Sequence, residues 1–159
     1  MRITHRIWMG ASAVALVATV AVAAIHIWSQ MTGDSEITAM APLDPSCDIQ
    51  TGTCEALLPN GSRMSLSISP RPRQALKPLE IQVTTEGLDA QAVEVDFRGL
   101  GMNMGYNRPR LQKEAEGQYS GTGMLAICVM ERMSWEATVL ARTDDGVMAA
   151  PFRFDTLRQ

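Results

Sequence analysis

The chain has 159 residues, a formal charge of −3 and two histidines, His5 and His26, which both lie in the first 30 positions. The rest of the chain therefore cannot supply a Ser-His-Asp or Cys-His catalytic pair, or a zinc or copper site that requires imidazole. It also has no Gly-rich phosphate loop, no CxxC pair and no haem attachment signal, so the composition favours a protein that is not an enzyme.

The beginning of the chain carries the strongest targeting signal. Residues 7–28 are 22 uncharged, mostly apolar positions, and a helix of that length just spans a hydrocarbon core about 30 Å thick. Arg2 and Arg6 precede this run, so the positive-inside rule predicts a cytoplasmic tip at residues 1–6 and an exported remainder. We expect a single-pass protein of a bacterial inner membrane, with its C-terminal domain in the periplasm.

A cleaved signal peptide is the alternative interpretation of the same run. Ala21-Val22-Ala23 has the small-x-small pattern of a cleavage site, although apolar residues follow it directly. The run is longer than a typical signal centre, and Trp8 and Trp28 stand at its two ends, where indole rings favour the membrane interface. These features favour an uncleaved signal anchor.

The exported part divides into a linker and one domain. Residues 29–46 contain Pro42 and Pro45 with little periodicity, which predicts a tether, and residues 47–159 are long enough for one hydrophobic core. All 17 acidic residues but only 12 of the 14 basic ones follow residue 30, which gives this part a formal charge of −5. That charge argues against nucleic acid and anionic lipid as main partners.

Short alternating runs separated by turn residues fill the domain. Their apolar positions are Met64, Leu66 and Ile68; Leu79, Ile81 and Val83; Val93, Val95 and Phe97; and Leu125, Ile127 and Val129. Two further runs, WEATVLA and VMAAPFRF, flank an Asp-Gly pair, a strong hairpin signal. About seven strands in about 113 residues predict an all-β fold, an immunoglobulin-like antiparallel β-sandwich preceded by one transmembrane helix.

Three cysteines lie in the exported part, where the compartment is oxidising. Cys47 and Cys54 bracket DIQTGT, whose Thr51-Gly52 suits a turn, so we expect a structural disulfide between them. Closing so short a loop contributes roughly 2–3 kcal/mol in the chain-entropy model. Cys128 is then left over as a buried inert thiol, an intermolecular bridge or a soft-metal ligand.

Methionines gather around the segment GLGMNMGYNRPRL. Met102 and Met104 are two positions apart and project to one side of an extended segment. Cys128 and Met130 share one face of their predicted strand, and both faces of that strand are apolar, so a cover is expected. Thioethers and a thiolate suit Cu(I), which predicts a site of Met102, Met104 and Cys128 completed by Met130 or Met133. The alternative is that these methionines fill the core.

The segment from Val93 to Phe154 resembles a known group of domains. Its parts are VEVDFRGLGMNMGYNRPRL, then EGQYSGTGMLAICVMERMSWEATVLA, then an Asp-Gly hairpin and PFRF. These are similar to the YtkA-like and FixH-like membrane-anchored periplasmic domains. The resemblance implies an immunoglobulin-like sandwich involved in copper handling or cytochrome oxidase assembly. Its metal-binding positions fall on Met102, Met104, Cys128, Met130 and Met133, and its structural ones on Gly117, Tyr119 and Trp135.

Two functional hypotheses follow. The first is an accessory protein that binds or delivers Cu(I), in the manner of a metallochaperone, because the exported part lacks the histidines that Cu(II) favours. The second is an assembly module that docks on an inner-membrane respiratory complex through its Met-rich face without metal. In both, the expected partner is a copper-dependent oxidase or one of its assembly factors.

Overall fold

The structure is a computed structural model that describes residues 19, 21–22, 36–71, 77–126 and 132–157. The chain divides into two compact units, Met1–Ser35 and Glu36–Gln159. Thr19, Ala21 and Val22, within the predicted anchor, have helical backbone and are exposed. Most of the predicted anchor lies outside the described residues, and no helix among the residues that are described is long and apolar enough to cross a membrane.

The described residues of the second unit form strands joined by turns and loops, so the predicted all-β class is confirmed. The strands are β1 (Ile37–Met40), β2 (Cys54–Leu57), β3 (Arg63–Ser69), β4 (Pro78–Glu86), β5 (Ala92–Gly99), β6 (Arg110–Ala115), β7 (Gln118–Met124), β8 (Arg132–Thr143) and β9 (Gly146–Leu157).

These strands form one curled mixed sheet in the order β1-β9-β8-β5-β6-β7-β4-β3-β2. The β1–β9 pair is parallel, whereas the other pairs are antiparallel. Strand β6 joins the two halves of the sheet: it pairs with β5 only at Leu111 and Arg110, and with β7 further along. Because the sheet curls, its apolar face encloses a single core.

The alternation predicted from the sequence places side chains as expected. In β4, Leu79, Ile81, Val83 and Thr85 are buried while the residues between them are exposed. Each fully buried aliphatic side chain stabilises the fold by about 1.5–3 kcal/mol. The Asp-Gly hairpin is also confirmed, since β8 and β9 pair along their whole length up to Thr143 and Gly146.

Strand β1 lies inside the segment for which the sequence predicted a tether. It pairs with β9 from Ile37 to Met40, and the Ala41 amide donates a 2.8 Å hydrogen bond to the Ala149 carbonyl. Ala41 is buried, so this part of residues 29–46 belongs to the folded unit. A four-residue strand covers the edge of β9 that would otherwise present unpaired backbone groups.

The long strand predicted over QYSGTGMLAICVM is only partly observed. Strand β7 ends at Met124; Leu125 and Ala126 are not in a strand, although Leu125 is fully buried. Ile127 and Val129 lie outside the described residues. Gly121 and Gly123 weaken β7 because they have no side chains to pack. The Leu111 and Ile81 side chains occupy the space beside them.

Residues assigned to structure by the family resemblance have structural contacts here. Gly117 has a φ of 68°, and a Cβ at that position would lie 2.5 Å from the Thr85 carbonyl oxygen. Tyr119 donates a buried 2.8 Å hydrogen bond to the Ala90 carbonyl, and the Trp135 indole donates to the Thr156 hydroxyl. The first bond ties β7 to the segment between β4 and β5, and the second joins β8 to β9.

The predicted disulfide is present. Cys47 and Cys54 are joined with their Cα atoms 5.8 Å apart. The bond ties the loop after β1 to β2, at one edge of the sheet, and Cys54 is itself buried. Its place is structural, as expected.

Candidate functional site

The Met-rich loop, residues 100–109, connects β5 to β6 and is held at both ends by backbone hydrogen bonds. Leu100 donates to the Ser134 carbonyl at 2.9 Å, and the return leg accepts bonds from β5 at Asn107 and Pro109. The Asn107 side chain donates to the Met124 carbonyl at 2.8 Å. The loop is therefore fastened to β5, β7 and β8.

Gly99, the last residue of β5, is where the predicted ligands approach one another. It is on the core face of β5, and a Cβ there would overlap the Met133 methyl group. The same Cβ would lie 2.9 Å from Met104 Cγ and 2.9 Å from the Met102 carbonyl oxygen. The Met104 and Met133 side chains therefore occupy the space that a side chain at position 99 would fill.

The three methionines differ in how far they are buried. Met133 is 2% exposed and belongs to the core, Met104 is partly buried against that core, and Met102 is 42% exposed. Two thioether side chains thus meet beneath the surface, with a third on the same loop open to solvent. Exposure therefore increases from Met133 in the core, through Met104, to Met102 at the surface.

Two further predicted ligands, Cys128 and Met130, lie in the segment 127–131, outside the described residues. The described residues on both sides of it reach the loop: the Met124 carbonyl accepts from Asn107, and Met133 contacts the Gly99 position. Within the described part of the chain, no group of three or more His, Cys, Asp or Glu side chains is placed to hold a metal ion.

The outer side of the same loop forms a groove of mixed polar and apolar character that the sequence did not predict. Its volume is about 710 Å³, and its lining includes Asp96, Arg98, Met102, Tyr106 and Arg108. Asp96 is 15% exposed and lies between the two arginines, with Arg108 Nε at 3.5 Å and Arg98 Nη2 at 3.6 Å from its oxygens. The Arg108 guanidinium stands 5.4 Å from the centre of the Tyr106 ring, within cation–π range.

A second groove lies beside the disulfide, with a volume of about 500 Å³. Its charges are mostly satisfied locally: Arg132 pairs with Asp155 at 3.8 Å, and Arg153 pairs with Glu136 at 3.1 Å. The hydroxyl and backbone amide of Ser46 donate to Asp44 and hold the pKa of that carboxyl below its usual value. This groove is a mixed, internally paired surface, and it offers no group prepared for chemistry.

Comparison with protein-family models, with curated proteins and with solved structures finds no match to this chain. The resemblance to YtkA-like and FixH-like domains therefore stays a prediction from the residues.

Proposed function

We propose that this chain is a membrane-anchored, non-enzymatic periplasmic accessory protein that binds Cu(I) through Met102, Met104 and Met133, with Cys128 and Met130 as further ligands. The observation that carries the proposal is the packing of two thioether side chains into the space left open by Gly99. We also propose that the curled sheet is an immunoglobulin-like sandwich. The single core of the sheet and the buried hydrogen bond of Tyr119 support this assignment.

The chemistry of these side chains suits Cu(I). Thioether sulfur is a soft ligand, and a ligand set without imidazole favours Cu(I) over Zn(II). The partly buried Met104 and the buried Met133 provide a water-poor position, while the exposed Met102 provides a route from solvent.

An anaerobic Cu(I) titration of the full-length protein against a competing chelator tests this site. We expect stoichiometric binding that weakens by at least about tenfold, or roughly 1.4 kcal/mol, in Met104→Leu and in Met133→Leu. Leucine keeps the volume and apolar character of methionine and removes only the sulfur. Met102→Ala and Cys128→Ser should weaken binding to a similar degree.

The matched control is Met64→Leu, because Met64 is a fully buried methionine on β3, outside the loop and its contacts. Its binding should equal that of the natural protein. If Met104→Leu, Met133→Leu and Met64→Leu all bind Cu(I) alike, these methionines are core filler and the copper proposal is wrong.

A second candidate function is a docking module without metal. The observation that favours it is a group of exposed large apolar side chains on and beside the loop: Leu100, Met102, Tyr106 and Met124 are 44, 42, 82 and 47% exposed. A surface of this kind is typical of contact with another molecule. The protein would then assist assembly of a respiratory complex by contact alone.

The proposed topology has its own test. A periplasm-dependent reporter fused after Gln159 should be active, because the charges around the apolar run 7–28 predict export of everything after it. The protein should stay with the membrane pellet after osmotic shock. Release of the domain into the shock fluid would mean that the run is a cleaved signal.

A further inference from the structure

The groove on the outer side of the loop carries unused hydrogen-bond donors. Arg108 Nε is buried and has no hydrogen-bond acceptor among the residues that the structure describes, and its 3.5 Å distance to Asp96 exceeds the 2.7–2.9 Å of a charge-assisted bond. Arg98 likewise approaches Asp96 only to 3.6 Å. Asp96 therefore reduces the positive charge of the pair without a short charge-assisted bond to Arg108 Nε or Arg98 Nη2.

The charge of the groove is opposite to that of the protein around it. Two arginines and one aspartate line it, whereas the exported part as a whole has a formal charge of −5. Charges further apart than about 8 Å are largely screened at physiological ionic strength, so a ligand in the groove is attracted chiefly by the local surplus. The preferred ligand is an anion whose geometry matches guanidinium, such as a carboxylate.

Apolar side chains stand at the rim of the same groove. Tyr106 is 82% exposed, its ring held beside the Arg108 guanidinium, and Leu100 and Met102 are both more than 40% exposed. Tyrosine and arginine side by side are the residue types most enriched at the energetic centres of protein interfaces. A ligand that contacts the whole surface needs a carboxylate with an apolar neighbour.

We propose that this groove binds an extended acidic segment of a partner protein, with an Asp or Glu side chain on the Arg98–Arg108 pair and an apolar side chain against Tyr106 and Met102. The concave shape favours an extended peptide over a planar lipid surface. The proposal goes beyond copper binding, since it needs no metal.

The test uses the full-length protein in non-ionic detergent micelles, without copper, and a blocked peptide of alternating leucine and glutamate. We expect saturable binding, with amide shifts in the nuclear magnetic resonance spectrum concentrated in residues 96–108. A peptide with lysine in place of glutamate should bind at least tenfold more weakly. Because no copper is present, failure here leaves the copper proposal standing, and failure of the copper titration leaves this one.

Matched variants locate the contact. Arg108→Gln should weaken binding of the acidic peptide at least fivefold. Arg110→Gln removes the same charge two residues away, on an exposed position of β6 outside the groove lining, and should change binding less than twofold. Equal effects of the two variants, equal binding of the lysine peptide, or displacement of the peptide by phosphatidylglycerol added to the micelles would each overturn the proposal.

Discussion

Replacing Gly99 with alanine tests whether the loop and the core are packed as tightly as the structure indicates. The added methyl group would overlap the Met133 methyl and lie 2.9 Å from the Met102 carbonyl oxygen, which is backbone and cannot swing aside. Overpacking of this kind costs about 1–3 kcal/mol, while alanine returns about 0.4–1 kcal/mol by restricting the unfolded chain. We therefore expect a net loss of about 1–2 kcal/mol in the free energy of unfolding.

Urea-induced unfolding of the full-length protein measures this loss, and Gly52→Ala is the control. No atom of the described residues lies within 4 Å of the position that a Cβ would take at residue 52, so alanine there should be neutral or slightly stabilising. Combining Gly99→Ala with Met133→Ala should relieve the collision and give a coupling energy of at least about 0.5 kcal/mol. If the Gly99→Ala and Gly52→Ala proteins have the same stability, the thioether side chains do not pack against Gly99, and the proposed Cu(I) site is not at that position.

Three further outcomes are expected, two from the same unfolding assay and one from mass mapping. Tyr119→Phe should lose about 1–2 kcal/mol, because the buried Ala90 carbonyl is left without its donor; an unchanged free energy of unfolding would mean that water replaces the hydroxyl. Replacing Cys47 and Cys54 together by serine should cost roughly 2–3 kcal/mol. Non-reducing peptide mapping of the natural protein should leave Cys128 alkylatable after unfolding, and a bridge that includes Cys128 would exclude it as a thiolate ligand.

Local patterns predicted the parts of the fold that depend on local chemistry. Alternation places β3, β4 and β5 because a strand with one buried face must repeat every two residues, and the Asp-Gly pair sets the hairpin between β8 and β9. Cys47 and Cys54 are close in sequence, so their pairing needed no knowledge of the tertiary fold.

Features that depend on pairing between residues distant in sequence could not be predicted from local patterns. Strand β1 is only four residues long, between a polar stretch and two prolines, and it becomes a strand because β9 offers an edge. The groove joins Asp96 on β5 to Arg108 on the return leg of the loop, and their proximity depends on how that leg runs beside β5. Sulfur chemistry distinguishes the methionines of this loop in the sequence, whereas nothing in the sequence distinguishes Arg98 and Arg108 from the charges of a solvated surface.

The pairing of β1 with β9 has a consequence for how the chain reaches its final form. The first strand of the folded unit lies against the last one, and Thr38 donates a hydrogen bond to the Asp145 carbonyl, 107 residues away in sequence. A polypeptide is made from its N-terminus, so β1 is available first and must wait for the whole domain before its neighbour exists. Contacts of such long sequence separation slow folding. Until β9 has been synthesised, the backbone groups of β1 are unpaired and can pair with another strand. An interruption of synthesis prolongs that exposure.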